Sequence, residues 1–430
     1  MYMNHIRLNN SNFRVKGKLS VPGDKSISHR AVMFGSLAEG RTVITNFLRG
    51  DDCLATIDCF RKMGVKIEEV NGKIIVDGVG TTGLKEPEDI LYTGNSGTTA
   101  RLLLGLLSGL PFYSVLNGDE SLNNRPMSRV ADPLKLMGAK IWGREHDNKL
   151  PMAIRGTKLS AIQYELPVAS AQVKSALILA GLLAEGDTKV TGKIQSRDHT
   201  EKLLQQFGVQ LQINENEINI KGGQTLQGTD VFVPGDISSA AFFIALALIV
   251  PGAELVLENV GLNETRTGII DVVKAMGGDI EIETIQSEGE SYGNLRIKYS
   301  DLKATEISGA IIPRLIDEIP IIALIATQSE GTTVIQDAAE LKVKETDRIE
   351  AVVTELKKLG ANIEATKDGM IIHGKSKLNG GQVKTYGDHR IGMMLAIASF
   401  ISSGEIILEN PDCIKISYPN FFEDLNKIAQ

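Results

Sequence analysis

The sequence predicts an α/β protein of two domains, each assembled from three copies of one small unit. The first observation behind this is a recurring pattern. Six times the chain runs through an apolar helix closed by Gly, a short β-like run, a polar loop, an amphipathic helix closed by Gly and another strand. The repeat is about seventy residues long, too long for a solenoid and suited to a small α/β unit. The second observation is the tetrapeptide VPGD, which occurs at 21–24 and 233–236, each time just before an apolar helix. Two such crossings at the edges of a three-unit block read as the two strands of a hinge. One domain is therefore expected at 25–232, inserted into a second made of 1–24 and 233–430. The third is length, since 430 residues exceed what one hydrophobic core usually holds.

The apolar helices are expected at 28–40, 97–109, 170–186, 238–252, 320–331 and 389–404. Small residues on them, such as Ala176, Ala180, Gly181 and Ala184, suggest that three pack together inside each domain, with amphipathic helices and sheets outside. The amphipathic helices end at Gly64, Gly138, Gly208, Gly277 and Gly360, and the sixth is cut short by the C-terminus. Each Gly supplies the left-handed cap that a β-carbon would penalise. Units close on a hairpin, as in 65–78, where Asn71-Gly72 signals a two-residue turn.

A composition of 42% hydrophobic and 23% charged residues describes an ordinary soluble globular chain. The longest apolar run, 240–250, is too short to span a bilayer, and the N-terminal stretch has no apolar core of a signal peptide. Three cysteines without a CxxC pair point to a reducing cytoplasm and no disulfide framework. A net charge of −7 argues against a nucleic-acid partner.

Against that acidic background the loops before helices collect cations: Lys25, Arg30, Arg101, Arg125, Arg129, Lys174, Arg197, Lys344, Arg348 and Arg390. A single such Arg is read as a solvated surface charge. Recurrence at helix starts changes the reading, because a cation near a helix N-terminus is unfavourable by roughly 0.3–1 kcal/mol. An anion there reverses the sign, since free N–H groups and the helix dipole both favour it. The pattern implies an anionic ligand with several charged groups, with Arg supplying bidentate pairing and Lys a point charge.

No GxxxxGK[ST] is present, and GVGTTG (78–83) reads as a turn because LKEPED follows it and opens no apolar helix. No metal-ligand spacing appears among the histidines and cysteines, so no metal is expected. His29, His199 and His389 each sit in a basic loop, where structural hydrogen bonding is favoured over a chemical role. Two carboxylates stand among the cations. Asp317 is read either as a helix cap or as an acid/base group, and Glu345 either as a salt-bridge partner of Arg348 or as an acid/base group. Spacing leaves both readings open.

The segments GDKSISHR (23–30), GNSGTTAR (94–101), NRPMSR (124–129), SAQVK (170–174), RDHTE (197–201), VKETDR (343–348) and GDHR (387–390) together resemble the 5-enolpyruvylshikimate-3-phosphate synthase family over nearly the whole chain. The resemblance implies an inverse α/β barrel of two domains, each of three βαβαββ units with helices packed inside, closing over the site. It implies transfer of the enolpyruvyl group of phosphoenolpyruvate to the 5-hydroxyl of shikimate 3-phosphate, by addition and elimination through a tetrahedral intermediate. No cofactor is needed, and the expected enzyme is cytoplasmic, monomeric and part of aromatic amino-acid biosynthesis. Carried over by position, Lys25, Ser26, Arg30, Ser170, Ala171, Gln172, Arg197, Asp317 and Lys344 would bind shikimate 3-phosphate. Lys25, Asn95, Gly97, Arg125, Gln172, Arg348 and Arg390 would hold phosphoenolpyruvate. Asp317, Glu345 and Lys25 would be catalytic, with His389 in support.

Ser170-Ala171 stands where some members have two serines, and His199 where some have Tyr. SAQVK and RDHTE resemble the branch called class II, some of whose members tolerate glyphosate, while Gly97 argues for ordinary sensitivity. Several members carry a Lys three residues before the Pro that precedes the last helix. Here that position is Ile416 and Lys415 lies one residue earlier, so in an extended stretch Lys415 would face solvent. Two rival readings are enolpyruvyl transfer to UDP-N-acetylglucosamine and a non-catalytic repeat scaffold for phosphorylated ligands. The first usually has a Cys in a Gly-rich basic loop, where this chain has none. The second has no use for Asp317 and Glu345.

Overall fold

A computed structural model describes residues 4–10, 13–285 and 289–429. The chain forms two compact units, one of Met1–Pro22, Pro234–Ser287 and Ser291–Gln430, the other of Gly23–Val233 and Glu288–Glu290. The boundaries fall inside the two VPGD segments, and a short stretch at 288–290, which sequence periodicity does not mark, joins the second unit.

The conserved chemistry of VPGD within this chain has a physical cause. Val21 and Val233 are buried, a β-carbon on Gly23 would lie 1.9 Å from the Asn46 carbonyl oxygen, and one on Gly235 would lie 2.8 Å from the Val21 side chain. Asp24 accepts from the Ile27 amide at 2.9 Å and Asp236 from the Ser238 amide at 2.8 Å, so each Asp caps the helix that follows.

Each unit holds three small sheets of one design. In the Gly23–Val233 unit, Tyr113–Asn117 pairs parallel with Leu91–Tyr92 and antiparallel with Lys149–Arg155, which pairs with Lys140–Gly143. Asp187–Gly192 stands likewise between Gln163–Leu166 and Glu217–Lys221. Ala38–Thr45 takes its parallel partners from Leu226–Gln227 and Asp230–Phe232, so the end of the third repeat closes the sheet of the first. In the other unit Lys16–Ser20 pairs parallel with Glu254–Gly261, and His5–Leu8 pairs antiparallel with Ile406–Glu409. The N-terminal strands thus complete the first and last of its sheets, supplying what the shortened sixth repeat lacks.

The apolar helices are Lys25–Leu37, Gly97–Ser108 and Ala171–Leu183 in one unit, and Ile237–Ile249, Ile319–Thr327 and His389–Ala398 in the other. The last three are buried along their whole length, and each such Leu, Ile or Phe contributes roughly 1.5–3 kcal/mol of burial free energy. Backbones approach closely where small residues face each other, since a β-carbon on Gly105 would lie 2.4 Å from the Ala176 carbonyl oxygen. These helices end before the glycines read as their stops; Gly186 and Gly252 instead turn the chain into the next strand, Gly40 and Gly331 lie within it with positive φ, and Gly109 has φ near −100°. The glycines closing the amphipathic helices do take the left-handed cap, with φ between 84° and 96°. Asn71 and Gly72 form the two-residue turn between Lys66–Val70 and Lys73–Val79, both with positive φ. GVGTTG runs from the end of a strand into a single helical turn, Gly80–Gly83.

Candidate functional site

In the Gly23–Val233 unit the cations collect at the first turns of the three buried helices. Asp24 starts the first helix, which sets Lys25 and Ser26 in its opening turn and Arg30 one turn inside. The Lys25 ammonium lies 3.0 Å from Asp52, whose carboxylate is itself largely buried. Arg30 donates from Nε to Thr200 Oγ1 at 2.6 Å, from Nη1 to the Ser26 carbonyl at 2.9 Å and from Nη2 to Ser175 Oγ at 2.9 Å. Burial pulls its pKa down to about 10, opposed by Glu201 and Asp24; Arg197 is near enough for its charge to add to the lowering.

A second group surrounds the start of the Gly97 helix, capped by Ser96. Arg101 donates from Nη1 to Gln172 Oε1 at 2.8 Å and from Nη2 to the Pro126 carbonyl at 3.1 Å. Gln172 donates to Thr98 Oγ1 at 3.3 Å. Arg125 donates to Asn95 Oδ1 at 2.9 Å, and Asn95 in turn donates to Asp119 at 2.8 Å. Ser170 caps the third helix by accepting from the Val173 amide at 3.5 Å, leaving Ala171 at its first position. Gly97, Asn95, Arg101, Arg125 and Gln172 thus form one polar corner. A β-carbon on Gly97 would lie 2.7 Å from Arg101 Nη1 and 3.6 Å from Arg125 Nη1, in the space these guanidiniums face. Gly97→Ala is expected to push Arg101 off Gln172 and raise the KM for phosphoenolpyruvate, the ligand that the sequence resemblance assigns to this corner, about tenfold with a smaller change in kcat. Unchanged steady-state KM would show that the guanidinium yields at no cost.

Not every cation predicted to face a ligand does so. Lys174 is buried against Glu201, whereas Arg129 is exposed. His29 is scaffold. Its Nδ1 lies 2.7 Å from Thr56 Oγ1, which lies 2.7 Å from Thr99 Oγ1, and Thr99 donates to Ser96 Oγ at 2.7 Å. Burial first, then Lys25 and Arg30, hold its pKa well below the ordinary 6.5. The folded protein therefore binds fewer protons than the unfolded chain below pH 6.5, so stability falls as pH drops from there toward the folded pKa, by at most about 1.4 kcal/mol per pH unit. Thermal melts of His29→Gln should show a shallower acid loss than the parent; parallel curves would assign the loss to other groups.

In the other unit one guanidinium organises the site. Asp347 caps the helix Arg348–Lys358, placing Arg348 at its first position with 1% of its side chain exposed. Arg348 donates from Nε to Asp388 at 2.8 Å, from Nη1 to Asp317 at 3.1 Å and from Nη2 to Glu345 at 2.6 Å. Burial disfavours the charge, but Asp388, Glu345 and Asp317 outweigh it and raise the pKa above the ordinary Arg value. Asp317 also lies 3.4 Å from Lys344 and 3.7 Å from Arg390, whose other nitrogen is 3.9 Å from Glu318. Asp388 caps the helix His389–Ala398 by accepting from the Arg390 amide at 2.9 Å, and His389 is buried beside it.

The cap reading for Asp317 fails, because Glu318 holds the cap position and no side chain caps that helix. Glu345 lies in the loop before its helix and does pair with Arg348. Sequence reasoning missed Asp52, Glu318 and Asp388. The available signal was an Asp directly before a helix in GDHR, and paired acids at 51–52 beside a lysine-bearing repeat. Lys415 belongs to a 3-10 helix, Pro411–Ile416, not to an extended stretch, and its ammonium lies 2.8 Å from Asp412 with 68% of the side chain exposed. Lys415→Ala should change the KM for phosphoenolpyruvate by less than about threefold, and a tenfold rise would show that it reaches the substrate. Among the described residues no group of three or more His, Cys, Asp or Glu could hold a metal, and no helix is long and apolar enough to cross a membrane.

Comparison with known proteins gives a consistent set of likenesses. The family model for EPSP synthase (3-phosphoshikimate 1-carboxyvinyltransferase) matches residues 10–425. The chain is 61% identical over 418 residues to the 3-phosphoshikimate 1-carboxyvinyltransferase of Bacillus licheniformis, covering 97% of this chain and 98% of that one. It is 60% identical over 416 residues to the Bacillus subtilis protein of the same name, covering 96% and 97%. Among solved structures, an EPSP synthase from Acinetobacter baumannii superposes with a TM-score of 0.89 at 46% identity over 98% of both chains. The enolpyruvyl transferase NikO from Streptomyces tendae shares the fold, with a TM-score of 0.81 at 16% identity over 100% of this chain and 98% of that one.

Proposed function

We propose that in this chain, which belongs to the EPSP synthase (3-phosphoshikimate 1-carboxyvinyltransferase) family, Asp317 and Glu345 move the protons of the reaction while the surrounding cations carry its anionic charge. The reaction is transfer of the enolpyruvyl group from phosphoenolpyruvate to shikimate 3-phosphate with release of phosphate, a step of aromatic amino-acid biosynthesis. The observation that carries the assignment is the placement of both carboxylates against one buried guanidinium, with Lys344 and Arg390 beside Asp317.

Asp317 takes the proton of the 5-hydroxyl as its oxygen bonds to C2 of phosphoenolpyruvate. Glu345 delivers a proton to the methylene carbon, giving a tetrahedral intermediate in which C2 carries both the new ether oxygen and phosphate. The C2–phosphate oxygen bond then breaks, the departing phosphate takes up the proton held by Asp317, and Glu345 removes a proton from the methyl carbon, which restores the double bond. Lys344 donates to a shikimate oxygen. Lys25, Ser26, Arg30, Ser170, Ala171, Gln172 and Arg197 hold shikimate 3-phosphate, and the amides at the start of the Ala171 helix favour its phosphate. Lys25, Asn95, Gly97, Arg125, Gln172, Arg348 and Arg390 hold phosphoenolpyruvate, and the fixed cations stabilise the charge of the intermediate. Asp52 and Asp388 act through Lys25 and Arg348.

The test is phosphate release that requires phosphoenolpyruvate and shikimate 3-phosphate together. Release with UDP-N-acetylglucosamine in place of the shikimate ester, or none with either acceptor, overturns the reading.

A further inference from the structure

We infer that Lys174, its buried charge balanced by Glu201, is a positioning residue that holds the turn at 194–198, and through it Arg197, in the geometry that shikimate 3-phosphate needs. Lys174 sits in the first turn of the helix Ala171–Leu183, where the helix dipole disfavours a cation, and its ammonium is out of contact with water. A buried ammonium in that place persists only if its three donors are met. They are met by the Glu201 carboxylate at 2.7 Å and by the carbonyls of Ile194 and Ser196, each at 3.2 Å.

Those two carbonyls belong to a stretch that joins neither helix nor strand. Within it the Ile194 amide donates to the Gly192 carbonyl at 2.8 Å and the Ser196 amide to the Ile194 carbonyl at 2.7 Å, while Asp198 accepts from the Lys202 amide at 3.0 Å and Gln195 Nε2 donates to the Glu215 carbonyl at 2.8 Å. Such three-residue turns specify conformation weakly, so the ammonium does for this turn what a ladder does for a strand. The next residue is Arg197, and Glu201 is one turn further along the helix His199–Gln206, beside the Thr200 hydroxyl that receives Arg30. Lys174 also follows Ser170, Ala171 and Gln172 on its own helix. One ammonium thus ties the start of that helix, the Arg197 turn and the Arg30 partner into a single register. This inference rests on the assignment of Arg197 and Ser170 to shikimate 3-phosphate.

A buried ion pair that only stabilises the fold would be replaceable by apolar residues of similar size without loss, whereas removing one partner leaves a buried charge. The informative variant is therefore Lys174→Met/Glu201→Leu. It should fold with a Tm close to the parent, lose hydrogen-exchange protection at 194–198, and raise the KM for shikimate 3-phosphate about tenfold with less than about threefold change for phosphoenolpyruvate. Glu201→Gln, which removes the counter-charge but leaves the ammonium on both carbonyls, should lower the Tm while keeping hydrogen-exchange protection at 194–198, and remains informative if the double variant does not fold. Arg197→Ala is the control. If it raises the shikimate 3-phosphate KM while the double variant keeps the parental value, the positioning role is wrong. It is also wrong if protection at 194–198 is unchanged in the double variant, or if folded Glu201→Gln loses shikimate 3-phosphate binding as strongly as Arg197→Ala. If Arg197→Ala has no effect, the assignment of Arg197 is what fails, and exchange at 194–198 still decides whether Lys174 holds the turn.

Discussion

Glu345→Gln is expected to lower kcat by about 10²–10⁴-fold, the usual share of general acid/base catalysis, while shifting the KM of either substrate only a fewfold. Gln preserves the size of the side chain and keeps a carbonyl oxygen to accept from Arg348 Nη2, now at 2.6 Å from Glu345. Arg348 retains Asp317 and Asp388 as partners, so the guanidinium should stay in place. What Gln cannot do is exchange a proton, and the loss should therefore fall on the transition state. Single-turnover kinetics with saturating substrates would separate chemistry from binding. Near-parental kcat would reduce Glu345 to an ion-pair partner at a helix start.

The local grammar of this fold is readable in one dimension. Caps, turns and helix stops depend on a few neighbouring residues, which is why VPGD, Asn71-Gly72 and the glycines after the amphipathic helices announce themselves. The same holds for the cations, which repetition places at helix starts. Their partners are another matter. Asp52 meets Lys25, Glu201 meets Lys174 and Asp388 meets Arg348 across separations of tens of residues, and no periodicity ranks one acid above another. The consequence for the charge reading is concrete. Lys344, Arg348 and Arg390 look like an excess of positive charge in the sequence, yet Asp317, Glu318, Glu345 and Asp388 surround them. Sheet closure is hidden for a related reason: the parallel partners at 226–232 and the N-terminal strands 5–8 and 16–20 belong to sheets whose other strands lie far away in sequence. Lys415 shows the limit of face arguments. Alternation places it outward only if the stretch is extended, and the stretch coils after Pro411 instead.

The Arg348 cluster should be the most fragile point of its unit. Arg348→Leu is expected to cost about 3–5 kcal/mol at pH 8, the range for breaking a buried ion pair from one side. Leu matches the apolar stem but leaves Asp317, Glu345 and Asp388 with no common counter-charge, and Asp388 is fully buried. Arg348→Lys should recover only part of the loss, because a point charge cannot serve three carboxylates that the guanidinium reaches through separate nitrogens. The pH dependence has a definite sign. Without Arg348 the buried carboxylates carry charge that has lost its shared counter-ion, and acid relieves that charge. The variant's deficit relative to the parent should therefore shrink as pH falls from 8 toward 5. Urea unfolding at both pH values, followed by a probe within the Pro234–Gln430 portion, measures it directly. A loss below about 1 kcal/mol at pH 8, or one that grows on acidification, would mean that the carboxylates find other partners and that Arg348 is not the centre of the cluster.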